Sequence, residues 1–171
     1  GGGVSKTVDP GIRIGWVHSV NYRRKIASLK DSSPMGTSVL AQAAVAELLR
    51  SGGYDAHLRK LRRELARQIR EMRQSVLREF PAGTRVSEPE GGYVLWVEMP
   101  RGALNVRELF LKARNAGIGI APGHIFATDQ RYDHCFRLNA GFGWNAEVEQ
   151  AIQQLAQWCQ LSLTDSQEQQ D

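Results

Sequence analysis

Lys6 and Arg13, in the opening stretch GGGVSKTVDPGIRIG, stand on either side of the tripeptide Asp9-Pro10-Gly11. Proline pre-sets φ for the second position of a tight turn, and glycine tolerates the positive φ of the third. The spacing therefore predicts a chain reversal that points one amine and one guanidinium into the same space. A guanidinium holds a dianionic phosphate through paired charge-assisted hydrogen bonds, and an amine attacks an aldehyde carbon. Together they suit an aldehyde that carries a phosphate. A nucleotide-binding P-loop is the competing reading of glycines before Lys-Thr, and it fails on the residues. Ser5 stands where glycine must precede Lys6, and Val8-Asp9-Pro10-Gly11 interrupts the helix that must follow.

A second arginine lies far along the chain, in CFRLNA. Phe136 and Leu138 flank Arg137, so a strand aims it away from its apolar neighbours, and its planar fork matches a carboxylate. The competing reading of Arg137 is an arginine on the exposed face of an edge strand. That of Arg13 is a solvent-facing residue in the strand-like alternation Ile12-Arg13-Ile14. His124 and Phe126, after Pro122-Gly123, lie on a loop that could approach a ligand, with a structural loop as the default reading, and His18, His57 and His134 show no ligand spacing.

The elements that must hold these residues are legible in outline. Residues 1–18 read as two extended segments around the turn, followed by a helix over about 21–30. Ser33 can cap the next helix, with Pro34 in its first turn, and LAQAAVAELLR stops at Gly52-Gly53. From Asp55 to Phe80 apolar residues fall at Leu58, Leu61, Leu65, Ile69, Met72, Val76 and Phe80. This eleven-residue, three-turn repeat keeps one stripe nearly straight along a helix roughly 40 Å long. GYVLWVEM is a strand by its β-formers; NVRELFLKARNAG is a helix with Asn105 and Glu108 at capping-box spacing and Gly117 as its stop. GIGIAP and HCFRLNAG read as further strands. NAEVEQAIQQLAQWCQL closes the fold as a helix with Val148, Ile152, Leu155 and Cys159 on one face. Helices first, then strands alternating with helices, imply a layered α/β (α+β) arrangement: a small sheet covered by helices. SLTDSQEQQD, without apolar anchors, is expected to fray.

The stretch Ser5 to Gly15, S-K-T-x-x-P-G-x-R-x-G, resembles the cofactor-lysine segment of fold-type I pyridoxal-phosphate enzymes, the aminotransferase superfamily. GGYVLWVEMP at 91–100, GIGIAPGHIF at 117–126 and CFRLNAGF at 135–142 follow in the order of that family's C-terminal half. GGYDAHLRKLRREL at 52–65 is most similar to the MocR group of GntR-type transcriptional regulators, in which an aminotransferase-like domain follows a winged helix-turn-helix. The resemblance covers nearly the whole chain apart from the polar tail. It implies the small C-terminal lobe of the fold: residues 1–33 ending a large cofactor-binding domain, 34–80 forming interdomain helices, 81–161 a small domain and 162–171 a tail. It also implies that pyridoxal 5'-phosphate attaches covalently at Lys6, with Arg13 and Ser5 on its phosphate, and that Arg137 grips the α-carboxylate of an amino-acid substrate. Gly3 departs from the pattern, standing where the family usually carries serine or threonine.

In that family the lysine segment lies well past the middle of the catalytic domain. A lysine at position 6 is therefore expected to mark the C-terminal part of a longer protein, the rest of the cofactor pocket lying upstream and the isolated piece being inactive. Two functions fit: the ligand-sensing portion of a regulator that responds to an amino acid or amine, reaching DNA only through a domain outside this chain; or a piece of an aminotransferase that moves an amino group from an amino acid to a 2-oxo acid. A homodimer is expected for the full-length protein.

The chain has 171 residues, 42% hydrophobic content and a formal net charge of +4. Much of the positive charge lies between Arg59 and Arg78, on the face of the long helix opposite its apolar stripe. Glu64 and Glu71 interrupt it and no aromatic is interleaved, which favours a solvated face over a nucleic-acid contact. Cys135 and Cys159 are too few for a disulfide framework and lack metal spacing. With no apolar run long enough to span a bilayer and no signal-peptide pattern, a cytoplasmic location is expected.

Overall fold

The computed structural model describes residues 1–33, 36–102 and 105–168, with no account of the side chains of 163–168. The chain divides into two units, Gly1–Leu61 and Arg62–Asp171. The division falls inside the long helix. The helix contributes its first residues to one apolar cluster and its later ones to another.

In the first unit, β1 (Gly2–Gly3) pairs antiparallel with β2 (Gly15–Trp16), Gly2 opposite Trp16 and Gly3 opposite Gly15. The chain between them reverses, but not as a proline-glycine turn. Asp9 caps a 3-10 helix over Pro10–Ile12, its carboxylate accepting from the Gly11 N–H, and the positive φ falls on Arg13 (55°) instead of Gly11. The aspartate side chain closes an Asx turn that draws Gly11 into the right-handed region, and the left-handed residue moves two positions on. The strand alternation read into Ile12-Arg13-Ile14 is thereby overturned.

Helices α1 (Arg23–Asp31) and α2 (Val39–Arg50) follow. The cap of α2 is Ser38, whose hydroxyl accepts from the Ala41 N–H; Ser33 does not cap it, and Pro34 lies outside the described residues. Either serine satisfies the composition rule, but only Ser38 directly precedes the run that can bury a face. Gly52, at φ 74°, ends α2 as expected. Helix α3 (Gly53–Glu79) then begins. Val4, Ile14 and Val45 form the buried centre of this unit, with Ile12, Ala41 and Tyr54 packed against them.

The second unit holds the later part of α3 and the strands β3 (Arg85–Val86) and β4 (Val94–Glu98). Helix α4 (Val106–Asn115), β5 (Ala121–Pro122), β6 (Cys135–Asn139) and α5 (Ala146–Glu168) complete it. The sheet is antiparallel, in the order β3-β4-β6-β5. GIGIAP thus contributes only two strand residues, at an edge where proline costs no ladder bond. One face of the sheet, carrying Leu95, Val97, Phe136 and Leu138, is covered by Ile69, Met72, Val76 and Phe80, by Val106, Leu109 and Ala113 of α4, and by Ile152, Leu155 and Cys159 of α5. The C-terminal half of the α3 stripe is buried, while Leu58, Leu61 and Leu65 are half-buried. Asn105 caps α4 through the Arg107 N–H, and its amide donates to Glu108, a side-chain variant of the expected capping box. Helix α5 continues to Glu168 through residues expected to fray, and 169–171 lie outside the described residues.

Both cysteines are free and buried, and burial pushes the Cys159 thiol up to about 12. No helix among the described residues is long and apolar enough to cross a membrane. No group of His, Cys, Asp or Glu among them is placed to hold a metal ion.

Candidate functional site

Lys6 lies on the turn that leaves β1. The Val4 N–H donates to the Ile14 carbonyl at 3.1 Å, extending the β1–β2 pairing by one step, and the Val8 N–H donates back to the Val4 carbonyl at 2.8 Å. Lys6 therefore leaves this ladder two residues after Val4, and Arg13 enters it one residue before Ile14. Amine and guanidinium spring from the same end of a two-stranded ribbon whose Val4 and Ile14 side chains are buried beneath it. Both Lys6 and Arg13 are exposed, and Ser5, next to Lys6, is half-buried. Among the described residues neither cation makes an ion pair.

The turn is held from below by the start of α3. Thr7 Oγ1 and the Tyr54 hydroxyl are 3.0 Å apart, and the His57 ring nitrogen lies 2.5 Å from the Thr7 carbonyl. His57, given no chemistry on sequence grounds, thus braces the residue next to Lys6. Arg13 occupies the left-handed region at φ 55°, ψ 34°, where a non-glycine residue costs about 1–2 kcal/mol. Strain of that kind, held in place by surrounding structure, is common at ligand sites.

Arg137 belongs to the second unit. It sits on an inner strand, β6, opposite Trp96 of β4 on one side and Ala121 of β5 on the other. The edge-strand alternative is excluded by this order. Because Phe136 and Leu138 face the core, Arg137 projects from the opposite face of the sheet and is exposed. Its guanidinium carbon lies 5.0 Å from the centre of the Phe126 ring. Trp96 meets Phe126 edge-on at 5.4 Å and Tyr132 at 5.3 Å. This aromatic row is absent from the sequence reading, which leaves Phe126 in a structural loop. The one signal for it is Trp96, an outward aromatic between the inward Leu95 and Val97.

Further along this face Glu98 accepts from Arg85 at 2.5 Å, and the His134 ring nitrogen lies 3.3 Å from the same oxygen. The Arg85 hydrogen bond chiefly holds the Glu98 carboxyl below its ordinary range, with partial burial opposing it and His134 adding to it. A carboxyl lowered on folding adds stability that is present above its unfolded pKa and is lost as pH falls through the folded one. Glu98→Gln is therefore expected to lower the denaturation midpoint at pH 7. The gap from wild type should close below the ordinary carboxylate range, as denaturant titrations across pH would read.

A cleft of about 700 Å³ lies between α3 and the 88–92 loop, lined by Arg62, Ile69, Arg73, Glu88 and Gly91 among others. Arg73 reaches Glu88 at 3.4 Å there. None of Ser5, Lys6, Arg13 and Arg137 lines it.

A model for the family described as aminotransferase class I and II matches residues 2–155. An HTH-type transcriptional regulator of Escherichia coli K12, YdcR, is 40% identical over 159 residues, covering 93% of this chain and 34% of that protein. The 2-aminoadipate transaminase of Thermus thermophilus is 30% identical over 139 residues, covering 81% and 34%. Among solved structures, Pyrococcus horikoshii kynurenine aminotransferase in complex with PMP superposes with a TM-score of 0.81 at 26% identity, covering 94% of this chain and 40% of that one. The chain spans about a third of the length of the curated relatives it matches. With its α/β architecture and family model both matched, the chain belongs to the aminotransferase class I and II family and has the fold of the C-terminal lobe of fold-type I aminotransferases.

Proposed function

We propose that this chain is the aminotransferase-like, pyridoxal-phosphate-binding portion of a transcriptional regulator that senses an amino acid or amine. The observation that carries the reading is the departure of Lys6 and Arg13 from one end of the β1–β2 ribbon, on a turn braced by Tyr54 and His57. Similarity to HTH-type regulators supports the regulatory half of it. A cytoplasmic homodimer that reaches DNA through a separate winged helix-turn-helix is part of the same reading.

The residues present suit the two reactive ends of such a cofactor. Lys6 offers an amine to the aldehyde carbon. Arg13, unpaired among the described residues, offers a planar pair of N–H donors to phosphate oxygens, and Ser5 can add a hydroxyl donor. When bound, pyridoxal phosphate supplies a conjugated ring that stores electrons from the α-carbon of an amino acid. Arg137, exposed and unpaired among the described residues, presents its fork to a carboxylate. With the cofactor bound, the Lys6 amine would stand ready to carry a proton to or from the α-carbon. In a regulator, ligand binding at this site would shift a population of conformers. Similarity to a transaminase at 30% identity favours the second reading, amino transfer to a 2-oxo acid.

The test is borohydride reduction of the full-length protein loaded with pyridoxal phosphate, followed by peptide mass mapping. The reduced adduct is expected on Lys6, and Lys6→Ala should lose it entirely. An adduct on another lysine in the wild type would remove the assignment. Amino transfer from amino acids to 2-oxoglutarate by the same preparation would favour the second reading over the first.

A further inference from the structure

The guanidinium of Arg137 projects from the sheet face opposite the one on which α3, α4 and α5 pack, and it makes no ion pair or hydrogen bond to another described residue. A long side chain in that situation ordinarily samples many rotamers, and ordering it on a ligand costs conformational entropy. The contact it does make is with a ring: the Phe126 centroid is 5.0 Å from its guanidinium carbon. That ring is itself restrained. Its 3-10 helix (Gly123–Phe126) follows directly from β5, and Trp96, opposite Arg137 in the ladder, presses on it nearly perpendicular at 74°. Tyr132, on a second 3-10 helix (Gln130–Tyr132), meets Trp96 from the remaining side at 80°. On the β5 side the ladder partner of Arg137 is Ala121, whose side chain is a single methyl.

We propose that Phe126, braced edge-on by Trp96, is the positioning residue for Arg137: its ring fixes the guanidinium plane so that the N–H fork meets a carboxylate already oriented. The inference rests on the carboxylate role proposed for Arg137 and extends it to a side chain that touches no ligand. A ring face attracts a guanidinium without consuming any of its N–H donors, so the grip leaves the whole fork for the ligand. An acidic neighbour would have ordered the arginine equally well but would have occupied the donors. Phe126 itself remains 41% exposed.

The experiment uses the isotope-labelled full-length protein and follows the Arg137 side-chain Nε–Hε signal, identified by its disappearance in Arg137→Lys. Phe126→Leu is expected to remove the ring-current displacement and the order of that signal while the β6 backbone amides stay in place. It should also weaken binding of the probe 3-phenylpropionate about fivefold. Phe126→Tyr should restore both. If Phe126→Leu leaves the Arg137 signal ordered and the probe affinity at the wild-type value, the positioning role is overturned. Should Arg137→Lys bind the probe as tightly as wild type, the carboxylate role itself fails, and that failure is read separately from the first.

Discussion

Replacing Gly123 with alanine is expected to destabilise the second unit by about 3 kcal/mol, a cost at the upper end for overpacking. A Cβ built there would stand 2.0 Å from the Tyr132 carbonyl oxygen and 2.7 Å from that of Cys135. Both obstacles are backbone, so no side-chain rotation relieves them. The loop must separate from β6, and the turn that carries Phe126 moves away from the turn that carries Tyr132. The same substitution should therefore disturb the Trp96 contacts, giving a change in tryptophan fluorescence alongside the lowered denaturation midpoint. Gly91→Ala is the matched control: its added Cβ meets nothing within 4 Å, and the expected change is within about 0.5 kcal/mol. Equal midpoints for the two variants would mean that the backbone approach at Gly123 is looser than described.

The contrast between those glycines shows what could and could not be read from sequence. Gly52 and Gly117 follow helical runs directly, and a helix stop is a local event, so both were legible. Gly123 is required by Tyr132 and Cys135, nine and twelve residues further on, and nothing in PGHIF announces that approach. Arg137 divides in the same way. Its orientation came from the alternation of Phe136 and Leu138, which is local. Its inner position and its aromatic neighbours came from pairing with residues 41 and 16 positions earlier, Trp96 and Ala121.

Around Lys6 the reversal was legible but its geometry was not. Asp9-Pro10-Gly11 reads equally well as a turn with glycine in the left-handed position and as a 3-10 turn capped by the aspartate. The capping hydrogen bond decides between them and hands the positive φ to Arg13. The family resemblance, not composition, is what singles out Lys6, since this lysine is exposed like an ordinary surface lysine. What the structure adds is the brace: Tyr54 and His57 are separated from Thr7 by about fifty residues, and only the fold brings them under the turn.

The second large effect belongs to the strand that carries Arg137. Phe136→Ala should cost about 3–5 kcal/mol, read as a lowered urea midpoint of the second unit. Phe136 is fully buried on the inner strand β6 and is among the largest fully buried side chains. Its ring lies 6.0 Å from that of Phe80, at the end of the α3 stripe, so one truncation removes both the central strand's anchor and its contact with the long helix. Core density is too high for neighbours to refill a phenyl-sized space, and the cavity term adds to the lost transfer energy. Domains of this size are stable by only about 5–15 kcal/mol, so the variant forfeits a large share of the whole. Phe142→Ala supplies the comparison: at 86% exposure the same chemical change should shift the midpoint negligibly. Phe136→Leu, which keeps most of the volume, should fall between them. If that variant also left the Arg137 side-chain signal unchanged, the sheet's core face and its ligand face would be separable, the packing below setting stability and the aromatic row above setting where the guanidinium points. A Phe136→Ala cost below about 1 kcal/mol would contradict the assignment of this ring to the core.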